Sequence, residues 1–140
     1  MNELAALDLV FEEVYDHPIE KVWSALTNAD DLAAWLMPSD FEPRVGKTFT
    51  LHGTPMPGWR GWANCEVLEM QPPQRMVWSW VAADDGLKTL VKFELETLGL
   101  STRLTLRHEG EINATIAELL AGGWPGRLAA LAQLVDLTEN

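Results

Sequence analysis

Two groups of side chains in this sequence are suited to chemistry, a set of tryptophans and three dispersed histidines. Seven of the twelve aromatic residues are tryptophan: Trp23, Trp35, Trp59, Trp62, Trp78, Trp80 and Trp124. An indole offers a large apolar plate with a single N–H donor, which suits a pocket for flat or oxygenated hydrophobic molecules. Trp78, Trp80 and Trp124 are expected to point into one interior space together with Phe93, Leu106 and Leu128. Trp59 and Trp62 flank a Gly/Pro-rich loop and are expected near its mouth. The competing expectation is that all these rings fill a close-packed core. For Trp23 and Trp35, on helical stripes, that bland reading is preferred.

Of the histidines, His108 is the one whose strand pattern turns it inward, where an imidazole needs a polar partner and can meet a ligand oxygen. The alternative is a core histidine satisfied by protein groups alone. His52, at a strand end beside the loop, is a second candidate, and His17 reads as a helix-entry residue. Histidines this far apart, with no carboxylate at ligand spacing, predict no metal site. Cys65 falls within an alternating strand and reads as an inert core thiol. Nucleophile elbow, phosphate loop and dinucleotide fingerprint are all missing from the sequence, so no cofactor is expected and catalysis has no motif to support it.

The elements that must position these residues are marked by period and punctuation. Leu7 to Tyr15 alternates and reads as a strand. Pro18 suits the first position of a helix, with His17 as cap and Glu20 completing a capping box. Ile19, Val22, Trp23 and Leu26 form that helix's apolar face. Asn28 caps a second short helix bearing Leu32, Trp35 and Leu36, which Pro38 ends. Then follow strands over Lys47–His52, Trp59–Met70, Arg75–Val81, Leu87–Thr97 and Thr102–Glu109, with the loop Gly53–Gly58 and the turn Gln71–Gln74 between them. Ala114 to Leu137 reads as a long helix, interrupted at Gly122–Gly126, where Pro125 is expected to break or kink it. Strands segregated from helices predict an α+β domain with the last helix on the sheet's buried face.

Bulk properties exclude several classes. A length of 140 residues, 47% hydrophobic and 22% charged, fits one globular domain over 1–140. Duplex binding needs Lys and Arg to displace counterions, so a net charge of −11 argues against nucleic acid. Eight acids and one base, Lys21, fall in the first 35 residues, which disfavours anionic membranes and aids solubility. No apolar run is long enough to span a bilayer. The first ten residues lack a basic segment, so no signal peptide is expected. A lone cysteine is the usage of a reducing cytoplasm.

Specific residues carry a family resemblance. They are the run His17–Thr27, Leu32, Trp35–Leu36, Pro43–Gly46, Val67–Trp80, Ser101–His108, and Gly123–Trp124 ahead of Leu128 and Leu131. In this order the chain resembles the activator of Hsp90 ATPase homologue 1-like family of the START/Bet v 1-like superfamily, over roughly Leu7 to Val135. The resemblance implies a helix-grip fold, a curved antiparallel sheet wrapped around a long C-terminal helix and a cavity. Members of the superfamily bind lipids, polyketides and other hydrophobic molecules, some catalyse cyclisation or hydrolysis on them, and others are co-chaperones.

Three readings therefore stand. The first is binding of a hydrophobic small molecule by Trp78, Trp80, Phe93, Leu106, His108, Trp124 and Leu128, with His52 and Trp59 at the rim. The second is a protein-interaction module of co-chaperone or stress-response type, using the acidic N-terminal portion or exposed Trp59 and Trp62, and exposed tryptophan also favours a homodimer. The third is a cyclase- or hydrolase-like enzyme whose only acid–base groups are His108 and His52.

Overall fold

Residues 3–137 are described by the structure, a computed structural model. The two ends of the domain expected over 1–140 lie outside the described residues. The period-two stretches become six strands: β1 (Leu4–Tyr15), β2 (Thr48–His52), β3 (Trp62–Gln71), β4 (Arg75–Val81), β5 (Lys88–Leu98) and β6 (Ser101–Asn113). They form one antiparallel sheet in the order β1-β6-β5-β4-β3-β2, so the chain's first strand closes beside its last. Helices α1 (Ile19–Leu26) and α2 (Ala29–Trp35) lie between β1 and β2, and α3 (Ala114–Leu137) follows β6 without a break. This is the expected α+β helix-grip architecture.

Alternation decides which face is buried. In β5 the residues Thr89, Val91, Phe93 and Leu95 are buried, and in β6 so are Thr102, Leu104, Leu106 and His108. Their neighbours form cross-strand ion pairs on the other face, Lys92 with Glu109, Arg103 with Glu96, and Arg75 with both Glu69 (2.6 Å) and Glu94 (2.8 Å). The core fills the space between the sheet's inner face and α3, with α1 and α2 packed beside that helix. Strand β4 departs from simple alternation, because Val77 and Ser79 are buried as well as Met76, Trp78 and Trp80.

Local details correct three expectations. His17 makes no capping box, since Pro18 itself is the N-cap of α1 and no side chain bonds to that helix end. The Nε2 of His17 is instead 2.7 Å from Asp136 near the end of α3, a hydrogen-bond partner that a capping role does not offer. Strand β3 begins at Trp62, three residues later than expected, because Trp59 belongs to a tight turn in which Met56 and Trp59 exchange backbone hydrogen bonds. The third correction concerns α3, which runs continuously through Pro125. Ala121 and Pro125 are both exposed, so the missing rung lies on the solvent side, while buried Trp124, Leu128 and Leu131 anchor the helix on either side. The Asn28 cap is present as expected, its side chain accepting from the N–H groups of Asp30 and Asp31.

Candidate functional site

The interior space between sheet and α3 is divided into a filled end and a partly open end. At the filled end Trp78 meets Phe93, Phe49 and Phe41 with ring centroids 4.7, 5.0 and 5.6 Å apart. Edge-to-face and tilted packing of this kind leaves little room between rings. Leu106 and Leu128 are fully buried in the same core.

His108 holds the middle of the space. It is 0% exposed, and desolvation pushes its pKa down to about 3, so the ring is neutral. The indole of Trp124 can only donate, and it does so to Nδ1 of His108 at 3.1 Å. The proton of the neutral ring therefore sits on Nε2, which donates to Oγ1 of Thr89 at 2.7 Å. Thr89 in turn donates to the carbonyl of Trp80 at 3.3 Å. Every position on the imidazole is taken by protein, which is the satisfied-core arrangement.

The open end is an apolar cavity of about 110 Å³. The α2 end supplies Leu36 and Met37, the Gly/Pro-rich loop Met56 and Trp59, and the end of β4 Trp80 and Ala82. From α3 come Ile116, Leu119, Leu120, Gly123, Trp124 and Arg127. The loop is locked in place by close backbone approaches. A Cβ on Gly58, whose φ is +89°, would lie 2.5 Å from Thr115 at the start of α3, and one on Gly53 would lie 2.6 Å from the Trp59 ring. Met56, 45% exposed, stands on the solvent side. Gly123 works the other way: a Cβ there would meet nothing within 4 Å, so its missing side chain keeps space in the cavity.

Arg127 is the cavity's charged wall. Its Nη1 donates to the carbonyl of Leu36 at the C-terminus of α2, and partial burial holds its pKa below the usual arginine value. The indole N–H groups of Trp80, in the cavity wall, and of Trp78, in the filled end, are both buried with no acceptor among the described residues. A larger depression of about 330 Å³ on the outer face of β2, β3 and β4 is lined by Asp40, Thr50, Asn64, Glu66 and Lys88. It is mixed in polarity and shallow, whereas ligand sites are typically enclosed and apolar.

Of the residues singled out from the sequence, Trp59, Trp80 and Trp124 line the cavity, while Trp78, Phe93, Leu106, Leu128, His108 and His52 do not. His52 is exposed at the end of β2 and His108 is enclosed in the core, so the two imidazoles share no cavity. The cavity residues that sequence reasoning missed come mainly from α3. Two signals pointed to them: a helical glycine with no turn to explain it at Gly123, and Arg127 as the one basic residue in that helix. Among the described residues no cluster of His, Cys, Asp and Glu could hold a metal ion. No helix among them is long and apolar enough to cross a membrane.

Residues 16–136 match the family described as Activator of Hsp90 ATPase homolog 1-like protein. Protein MLL2253 from Mesorhizobium loti is 31% identical, with a TM-score of 0.83 over 95% of this chain and 99% of that one. BH1534 from Bacillus halodurans is 27% identical over 96% and 99% of the two chains, with a TM-score of 0.74. CalU16 from Micromonospora echinospora, at 24% identity over 98% and 86% with a TM-score of 0.76, shares the fold. Comparison with curated proteins gives no match.

Proposed function

The chain belongs to the activator of Hsp90 ATPase homolog 1-like family, and from that premise we propose that it binds a small hydrophobic molecule in the cavity between the Gly/Pro-rich loop, the end of β4 and α3. One observation carries this reading: an apolar cavity walled by three indoles, with space left by a glycine in mid-helix. A glycine inside a helix costs about 1 kcal/mol relative to alanine. At Gly123 no neighbouring atom requires that cost, and an occupant of the cavity accounts for it. The volume suits an aromatic ring or short alkyl chain, since a 150 Å³ apolar cavity is known to take benzene. The single buried, unpaired Cys65 fits a reducing, cytoplasmic setting.

The test is thermal denaturation against a panel of small aromatic and aliphatic compounds, with Gly123→Leu as the blocked control. A ligand at a hundred times its Kd adds about 2.7 kcal/mol, a rise in Tm of several degrees for a domain of this size. Gly123→Leu fills the space and is expected to abolish the rise while remaining folded. A panel without any shift removes the reading.

A second reading, a protein-interaction surface, is favoured by Trp62, which is 41% exposed. Its ring lies 4.6 Å beneath the guanidinium of Arg60, which is itself anchored to Asp84 and Asn64. Loss of a chaperone from pull-downs on Trp62→Ala would support it, and recovery of none by the wild type removes it. The enzymatic reading has no acid–base pair to rest on, since His108 and His52 are apart and His108 is fully engaged.

A further inference from the structure

The nitrogen-bearing side chains of the cavity wall, three indoles and one guanidinium, are all donors. The walls contain no carboxylate, amide or hydroxyl side chain. They do contain the side chains of Arg127 and Trp80. The arginine is unusual within this protein. Arg44, Arg60, Arg75, Arg103 and Arg107 each form an ion pair. With 21 acids against 10 bases in the chain, carboxylates are plentiful. Arg127 nonetheless has no carboxylate partner among the described residues. Its bond to the Leu36 carbonyl uses one of five N–H donors. Capping α2 explains a single donor and a favourable charge at a helix C-terminus, but not a half-buried cation left without an anion beside an apolar cavity.

Resting on the cavity reading above, we infer that the occupant is a small hydrophobic acid, its carboxylate against Arg127 and its apolar body between Trp59, Trp80 and Trp124. A carboxylate supplies the acceptors that the walls lack, and a guanidinium binds it through paired, charge-assisted hydrogen bonds. Neutral hydrocarbons would leave the guanidinium without an anion. Amines would add a cation beside a cation.

The experiment compares acids with their neutral amides by calorimetric titration: benzoate with benzamide, phenylacetate with phenylacetamide, hexanoate with hexanamide. In the wild type the acid of at least one pair is expected to bind about tenfold more tightly than its amide, with the preference shrinking as salt is added. Arg127→Gln is expected to remove that preference by weakening the acid more than its amide, and Arg127→Lys to keep part of it. Amides that match or exceed their acids in every pair overturn this inference and leave the cavity as a binding site. Absence of binding by every member overturns both. Should Arg127→Gln fail to fold, the wild-type pairs and their salt dependence decide alone.

Discussion

The indole N–H of Trp124 donates to Nδ1 of His108 across 3.1 Å, tying the middle of α3 to β6. The contact fixes the tautomer of a buried imidazole and orients a ring that walls the cavity, so fold and candidate site share one hydrogen bond. Trp124→Phe removes the donor and strands a buried acceptor, at a cost of about 1–3 kcal/mol before any loss of packing. A Tm lower by several degrees is expected. Pairing it with Thr89→Val in a double-mutant cycle should show coupling, because both partners act on the same ring. Strict additivity would mean that the chain does not act as a unit.

The same histidine sets a pH dependence. Its folded pKa is about 3, below the ordinary value of 6.5, because burial disfavours the charged form. Between those values the unfolded chain binds a proton that the folded chain does not, so stability rises with pH and is lost as pH falls below 6.5. The slope is at most about 1.4 kcal/mol per pH unit for one proton. Urea denaturation between neutral pH and pH 5 should show this slope in the wild type and a shallower one in His108→Gln. Equal slopes would place the acid sensitivity elsewhere.

Much of this was legible in the sequence, for identifiable reasons. Alternation in β5 and β6 revealed the buried faces because ion-paired Lys92, Glu94 and Arg107 face the other way. The Asn28 cap was readable because its cause is local. His17 was misread because its partner, Asp136, is 119 residues away. The continuity of α3 through Pro125 was likewise hidden, since it depends on burial of Trp124 and Leu128 against the sheet. Spacing reveals which way a side chain points but not whether the space it enters is filled. Trp78 and Trp80 share a face of β4, yet Trp78 is enclosed by three phenylalanines while Trp80 borders open volume.

Cys65 offers a probe of opening that is independent of ligand. The thiol is buried on β3 opposite Trp80, and desolvation pushes its pKa up, so little thiolate exists at neutral or mildly alkaline pH. Alkylation by iodoacetamide should therefore be slow in the folded protein and should follow the unfolding equilibrium as urea is added. Fast labelling of the native state would show that β2 and β3 separate locally without global unfolding.

The glycines of α3 separate stability from the site. Gly122 and Gly126 are exposed, and an added Cβ would meet no atom within 4 Å at either. Gly122→Ala and Gly126→Ala should each stabilise the protein by about 0.4–1 kcal/mol, by reducing the freedom of the unfolded chain and restoring helix propensity. Gly123→Ala should stabilise the ligand-free protein similarly, for the same reason. It differs in adding a methyl to the cavity, so it alone of the three should weaken binding of any compound that raises the wild-type Tm. A uniform effect on binding across the three variants would point to helix stiffness rather than to cavity space. Stabilisation by all three with weakened binding confined to Gly123→Ala would locate the bound molecule beside that residue.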